Sequence, residues 1–173
     1  MKALLLLSLA LLLGCKKNEP APVDQLPPAT QTGANTFGCL VNGVPWTPQG
    51  FDGSSNYSVS YDQNLYGVID LRTYRYQQQP TDNYQYIVIY ASDLRGPKSY
   101  NLSSSVDTRV SLNDRLTGCY LNSRDAGTYH KGTLTITRLD LQAGIVSGTF
   151  AYTLAKPGCD TVRITQGRFD KKL

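Results

Sequence analysis

Apolar and polar residues alternate with a period of two along most of the chain after residue 35, in short runs separated by glycine, asparagine or proline. Successive side chains of a β-strand point to opposite faces, so this alternation predicts half-buried strands. No long window has helical spacing, and at most residues 111–116 could form one helical turn. Eight strands are predicted, at residues 36–42, 56–61, 65–76, 84–91, 117–122, 132–140, 145–154 and 161–169, with a short ninth at 107–112.

Strands of this number and length can form two packed sheets. Turn residues recur about every ten positions, which is typical of an antiparallel all-β domain. We therefore expect an all-β fold, either an antiparallel β-sandwich or a flattened barrel, in a single domain over residues 36–173.

Two of the predicted strands, 65–76 and 84–91, carry enough pattern to predict how they pair. The polar loop between them contains Pro80, which favours a hairpin. Pairing that is symmetric about this proline puts the apolar rows of both strands on one face, whereas a slip of one residue would oppose isoleucines to charged side chains. The predicted partners are Tyr76 and Tyr84, Tyr74 and Tyr86, and Leu71 and Ile89.

The opposite face of this hairpin is rich in tyrosine and forms the candidate binding face. Its members are Tyr66, Arg72, Tyr74, Tyr76, Tyr84, Tyr86 and Tyr90, with Asp70 beside them. Aromatic cross-strand pairs stabilise a sheet, so a purely structural role is the first interpretation. A second is a flat platform for sugar rings, because tyrosine offers an apolar face and a hydroxyl together. A third is the interface with a partner protein, where tyrosine and arginine are enriched.

Residues 1–14 have the features of a secretory signal peptide. Met1 and Lys2 give a positive start, residues 3–14 are almost wholly apolar, and Gly14 is a small residue of the kind found before a cleavage point. A membrane-spanning helix needs about 20 apolar residues, and this run is shorter. The sequence therefore predicts export of the chain.

The motif Leu12-Leu13-Gly14-Cys15 resembles the lipobox of bacterial lipoproteins. The resemblance implies that Cys15 is the first residue of the mature protein and carries acyl chains, which anchor it in a lipid bilayer. Residues 15–35 are proline-rich after this cysteine and have few apolar side chains. We expect them to form a flexible tether between the anchor and the domain.

A second resemblance runs over most of residues 36–170. The segments TFGCLVNGVPWTP, GTLTITRLD, GIVSGTFAYTL and VRITQGRFD, in this order, look like a family of uncharacterised lipoproteins of the Bacteroidota that carry a domain of unknown function. The resemblance implies a secreted all-β domain on a lipid anchor in the cell envelope, with the outer membrane as the expected location. It supplies no active-site residues, and the periplasmic and surface sides of the membrane both stay open.

Three cysteines remain beyond the anchor, and export to an oxidising compartment permits one disulfide among them. Cys119 and Cys159 both lie near predicted strand ends, so we favour this pair. Cys39 lies on an apolar strand face, where a cysteine is usually a buried free thiol. Trp46 is expected to fill the core or its rim rather than to stack on a ligand.

Other chemistry finds little support in the sequence. No metal or cofactor is expected, because His130 is the only histidine and no CxxC spacing occurs. The motifs of phosphate-binding loops and of common hydrolases do not occur either. The net charge of +4 is not gathered into a basic stripe, so a nucleic-acid partner is not expected.

Two classes of function remain. The first is a membrane-anchored lipoprotein whose non-enzymatic domain binds a ligand or supports the envelope, with a glycan or a protein as partner of the tyrosine face. The second is a small hydrolase whose two carboxylates come together only in the folded chain. We adopt the first, since the anchor, the tether and the compact β-domain all fit it.

Overall fold

The computed structural model describes residues 20–76, 84–103 and 107–173. Within them, eleven β-strands form two antiparallel sheets that pack as a sandwich. The predicted all-β sandwich is confirmed, with more strands than expected. The strands are β1 (Thr36–Val41), β2 (Val44–Trp46), β3 (Tyr57–Asp62), β4 (Val68–Tyr76), β5 (Tyr84–Ala91), β6 (Lys98–Asn101), β7 (Thr108–Asp114), β8 (Cys119–Asn122), β9 (Tyr129–Asp140), β10 (Ile145–Ala155) and β11 (Val162–Lys172).

The larger sheet has the order β2-β1-β11-β10-β9-β6, and the smaller sheet has the order β3-β4-β5-β7-β8. The sequence pattern misses β2 and β6, which have only three and four residues. The helical turn considered at residues 111–116 is wrong, since Ser111 to Asp114 continue β7. The described part of the chain contains no helix that could span a bilayer.

Apolar side chains of the two sheets meet in one core. At one end the ring of Phe37 lies 5.7 Å from that of Trp46 and 5.4 Å from that of Phe150, measured between centroids. Trp46 is 1% exposed, and its indole N–H donates to Oε1 of Gln85 at 2.8 Å. Trp46 therefore fills the core, as expected, and its hydrogen bond connects β2 of the larger sheet with β5 of the smaller one.

The predicted register of the tyrosine-rich hairpin is confirmed. β4 and β5 pair antiparallel, with Tyr74 opposite Tyr86, Tyr76 opposite Tyr84, and Leu71 opposite Ile89. The inward row of both strands is almost fully buried: Ile69, Leu71, Ile87, Ile89 and Ala91. The need to bury this row on one face determines the register, because any odd shift would turn it towards water.

β4 begins later than the sequence pattern predicts. The carboxylate of Asp62 accepts hydrogen bonds from the backbone N–H groups of Asn64 and Leu65, and this closes a turn before the strand. Tyr66 lies in the turn, with a φ of 57° and a side chain that is 76% exposed. Tyr66 is therefore not part of the tyrosine face, and this part of the predicted binding face is corrected.

Residues 26–34, which we name the N-terminal strap, lie against the larger sheet. Leu26 is 7% exposed, and Pro27 packs on Gly38 of β1. A Cβ at position 38 would lie 2.7 Å from Cδ of Pro27, so only glycine allows this contact. The flexible tether expected over residues 15–35 is thus wrong for the strap, while Cys15, like the signal peptide, lies outside the described residues.

The strap is held by the carboxylate of Asp170 in β11. Five groups donate hydrogen bonds of 2.7–3.0 Å to it: the backbone N–H groups of Thr32, Gly33 and Ala34 and the hydroxyls of Thr30 and Ser147. Asp170 is 1% exposed. Burial alone would raise the pKa of this carboxyl, but the hydrogen bonds outweigh burial and lower its pKa below the usual value. Asp170 is therefore a carboxylate at neutral pH.

A disulfide joins Cys119 to Cys159, the pair that the sequence favours. Cys119 opens β8 in the smaller sheet, and Cys159 lies in the turn between β10 and β11 of the larger sheet. The bond therefore links the two layers of the sandwich. Cys39 is a fully buried free thiol, and its burial raises its pKa to about 12, so the thiol is protonated and unreactive at neutral pH.

Candidate functional site

The predicted tyrosine face does not form a flat, exposed platform. Residues 49–56, which we name the covering loop, fold across it, and Tyr74 is only 4% exposed. Backbone hydrogen bonds hold the loop to the end of β4: the N–H of Gln49 donates to the carbonyl of Tyr74 at 3.3 Å, and the N–H of Tyr76 donates to the carbonyl of Gln49 at 2.9 Å. The expectation of an exposed platform at Tyr74 is therefore wrong.

Gly50 makes the close approach of the covering loop possible. Its φ is +83°, and a Cβ at this position would lie 2.6 Å from Cβ of Tyr76. At the other end of the loop, Asn56 donates from its side-chain amide to the carbonyl of Gly50 at 2.9 Å. The backbone N–H of Tyr74 donates to the carbonyl of Asn56 at 3.0 Å. Both ends of the loop are thus fixed on the same strand.

The hydroxyl of Tyr74 organises the tip of the covering loop. Its oxygen lies 2.8 Å from Oδ1 of Asp52 and 2.8 Å from the carbonyl of Ser54, and it accepts from the N–H of Asp52 at 3.1 Å. Ser54 donates from its hydroxyl and its N–H to the same Oδ1, at 2.7 and 3.0 Å. Hydrogen bonds from Ser54 and Tyr74 lower the pKa of Asp52, so its side chain is charged at neutral pH.

These contacts create a concave site, which we name the tyrosine pocket. It has a volume of about 330 Å³ and is lined by Asp52, Tyr74, Tyr76, Tyr84 and Tyr86. The rings of Tyr74 and Tyr86 are nearly parallel, at 10°, with centroids 6.5 Å apart. All hydrogen bonds that Asp52 accepts within the described chain go to Oδ1, so Oδ2 has none from these residues.

A second concavity, the serine pocket, adjoins the first across Tyr74 and Tyr86. Its volume is about 360 Å³, and its other lining residues are Asp52, Ser54, Ser55, Ser58 and Arg72. Arg72 donates hydrogen bonds to both carboxylate oxygens of Asp70, from Nη2 to Oδ2 at 2.7 Å and from Nε to Oδ1 at 3.1 Å. The serine pocket is therefore the more polar of the two, with hydroxyls and one neutralised guanidinium.

No known protein family, curated protein or solved structure matches this chain. Within the described stretches, no three histidine, cysteine, aspartate or glutamate side chains lie close enough together to hold a metal ion. A glycosidase usually acts with two carboxylates, whereas Asp52 is the one carboxylate that the described residues bring to either pocket.

The structure divides the predicted binding face into separate parts. Tyr76, Tyr84 and Tyr86 line the tyrosine pocket, Tyr74 forms its covered wall, and Arg72 lines the serine pocket. Tyr90 lies elsewhere on the sheet, with the guanidinium carbons of Arg109 and Arg124 at 5.7 and 5.6 Å from its ring centroid. Asp52 is the candidate site residue that sequence reasoning misses. Its Asp-Gly-Ser-Ser context indicates a turn, but nothing in it shows that the turn lies on Tyr74.

Proposed function

We propose that this protein is a lipid-anchored, non-enzymatic binding protein of the bacterial cell envelope, with the tyrosine pocket as its ligand site. The observation that carries the proposal is the pocket itself, in which a fixed loop sets one carboxylate against four tyrosines. A concave, largely apolar site with a few placed polar groups is typical of small-ligand binding. The lipobox-like Cys15 and the resemblance to lipoproteins of the Bacteroidota support the anchor and favour the outer membrane.

The fastened strap gives the proposed anchor a short reach. If Cys15 carries the acyl chains, the segment from Cys15 to Leu26 spans at most about 40 Å, at about 3.6 Å per residue. The domain that carries the pocket would then be held near the bilayer surface. A ligand for such a site is one that reaches or belongs to the envelope.

The anchor has a direct test in the Cys15→Ala variant. We expect this variant to move from the membrane fraction to the soluble fraction of the producing bacterium, because the acyl chains provide the membrane affinity. Quantitative immunoblotting of the two fractions measures the change. Cys39→Ala is the matched control, since it also removes one thiol, and it should stay with the membrane. Unchanged membrane association of Cys15→Ala would contradict the lipid anchor.

The ligand site is tested by Tyr86→Ala in the full-length protein, solubilised in detergent. Ligand-observed NMR against a set of small envelope metabolites and oligosaccharides identifies binders of the wild type. We expect Tyr86→Ala to lower the affinity for every such ligand by about tenfold or more, because a small site loses a stacking ring. Tyr120→Ala, at an exposed tyrosine of β8 outside the pocket, is the control. If Tyr86→Ala binds these ligands with the affinity of the wild type, the tyrosine pocket is not the ligand site.

A glycan is the second candidate ligand. The observation that favours it is the serine pocket, where three serines and Arg72 could hydrogen-bond the hydroxyls of a sugar whose ring stacks on Tyr86. Tyr86→Phe with Arg72→Ala tests this alternative, because the pair keeps the ring and removes polar partners. Loss of oligosaccharide binding in this double variant would support a glycan, and unchanged binding would argue against it.

A further inference from the structure

We infer that the tyrosine pocket binds a small organic ammonium ion, such as one with a trimethylammonium group. This inference rests on the proposed binding function and names the ligand class of the same site. The pocket is lined by four tyrosines and Asp52. Among these described lining residues the one formal charge is negative, and none is a lysine or an arginine. An anionic pocket with aromatic walls selects a cation with an apolar surface.

The attraction has two physical sources. The face of an aromatic ring is negative, so it attracts a cation that lies within about 6 Å of its centroid. The carboxylate of Asp52 adds a full charge at the rim, and its Oδ2 is not used by any described donor. Methyl groups around a nitrogen suit such a site, because they are weakly hydrated and spread the charge over a surface that contacts several rings.

The same side of the smaller sheet already holds cations against tyrosine rings. The guanidinium carbon of Arg115 lies 4.9 Å from the ring centroid of Tyr84, which lines the pocket, while Arg115 itself is not among the described lining residues. Over the rings of Tyr74 and Tyr86, the described residues place no lysine or arginine in this way. The nearest arginine in the adjoining pocket is Arg72, and its charge is offset by Asp70.

An inorganic cation fits the pocket less well. Calcium takes six to eight oxygen ligands and magnesium about six, whereas the described lining residues offer one carboxylate and phenol groups. A neutral sugar would gain no charge–charge attraction from Asp52. An organic ammonium ion uses both features of the lining, the rings and the carboxylate.

The first experiment compares choline with 3,3-dimethylbutan-1-ol, its uncharged carbon analogue of nearly the same shape. Each is titrated into the detergent-solubilised full-length protein, and the tyrosine ring resonances are followed by NMR. We expect choline to bind about tenfold more tightly or better, because only the charged molecule gains the cation–π and carboxylate attraction. Equal affinity of the two molecules, or no binding of choline, would overturn the assignment.

Two variants locate the interaction. Asp52→Asn keeps an oxygen that can accept hydrogen bonds from Tyr74 and Ser54 but loses the charge. It should therefore lower the affinity for choline by about tenfold and leave the affinity for the uncharged analogue unchanged. Tyr86→Ala removes a ring of the pocket and should lose most of the choline binding. Tyr120→Ala should behave as the wild type. If Asp52→Asn and Tyr86→Ala are both folded and both bind choline with unchanged affinity, the proposal is wrong.

The outcomes separate this inference from the proposed function. If a neutral ligand binds and is lost in Tyr86→Ala while choline does not bind, the binding function stands and the ammonium assignment fails. If no ligand of any kind perturbs the pocket, both fail. Phosphocholine is the third probe, and it distinguishes between two sources of the ammonium group, a lipid headgroup and a free compound. Binding at least as tight as that of choline would indicate a lipid headgroup, and weaker binding would indicate a free ammonium compound.

Discussion

Replacing Asp170 with alanine should lower the free energy of unfolding by about 2–4 kcal/mol and release the N-terminal strap from the larger sheet. The carboxylate of Asp170 accepts five hydrogen bonds of 2.7–3.0 Å, three of them from consecutive backbone N–H groups of the strap. Without it these donors lose their partner. The loss is smaller than the sum of the bonds, because the freed strap can turn its N–H groups to water.

Two measurements check this expectation. Urea unfolding followed by tryptophan fluorescence gives the change in stability, since Trp46 is buried in the core. Digestion with a nonspecific protease reports the strap, and cleavage within residues 26–34 should be at least about tenfold faster in the variant. Asp160→Ala, at an exposed turn position, is the matched control and should change neither result. Unchanged protection of the strap in Asp170→Ala would contradict its role as the fastener.

The contribution of Asp170 should also depend on pH in a defined direction. Its pKa is lowered in the folded state, so its stabilisation is fully present above the unfolded-state pKa of about 3.9 and is lost as the pH falls further towards the folded-state pKa. The Asp170→Asn variant has no titratable group at this position. The stability difference between the wild type and this variant should therefore narrow below about pH 4. A constant difference from neutral pH down to pH 3 would contradict the low pKa.

Removing the disulfide should cost about 4 kcal/mol of unfolding free energy, the second large effect. Cys119 and Cys159 are separated by 40 positions, and a crosslink that closes a loop of this size restricts the unfolded chain by about this amount. The bond also links the two sheets, so its loss loosens one end of the sandwich. The double variant Cys119→Ser, Cys159→Ser should unfold about 10 °C or more below the wild type in a calorimetric scan.

A reductant provides the control for this experiment. Reduction of the wild type should reproduce the lower unfolding temperature, while the double variant should not respond to reductant. Both cysteines are changed together, so that no single unpaired thiol is left beside Cys39. Insensitivity of the wild type to full reduction, measured as two newly titratable thiols without a shift in unfolding temperature, would show that the disulfide contributes little to stability.

The hairpin of β4 and β5 shows what a local pattern can predict. Two apolar rows, one on each strand, can share the core in only one register, and the pairing of Tyr74 with Tyr86 follows from that alone. The same pattern gives the buried positions of these strands and the location of Cys39 in the core. Short strands can escape it, as β2 and β6 do, because three or four residues show little of a repeating pattern.

The tyrosine pocket shows what the local sequence pattern cannot predict. The alternation correctly sends Tyr74 to the outer face of its strand, yet the side chain is buried there by the covering loop. Loop residues have no period that reveals where they lie, so Asp52 gives no sign in the sequence that it meets a tyrosine 22 positions later. A face predicted as flat and exposed is therefore a pocket that contains the charge of Asp52.

The amino-acid sequence by itself determined the all-β class, the strand alternation, the register of the central hairpin and the prediction of an anchored, exported chain, because each depends on neighbouring residues. Only the tertiary structure decided the eleven-strand layering, the strap on Asp170 and the pocket at Asp52. These depend on hydrogen bonds between residues far apart in the chain, 138 positions for Thr32 and Asp170. Such bonds form only when burial has brought the two segments together, and no local pattern encodes them.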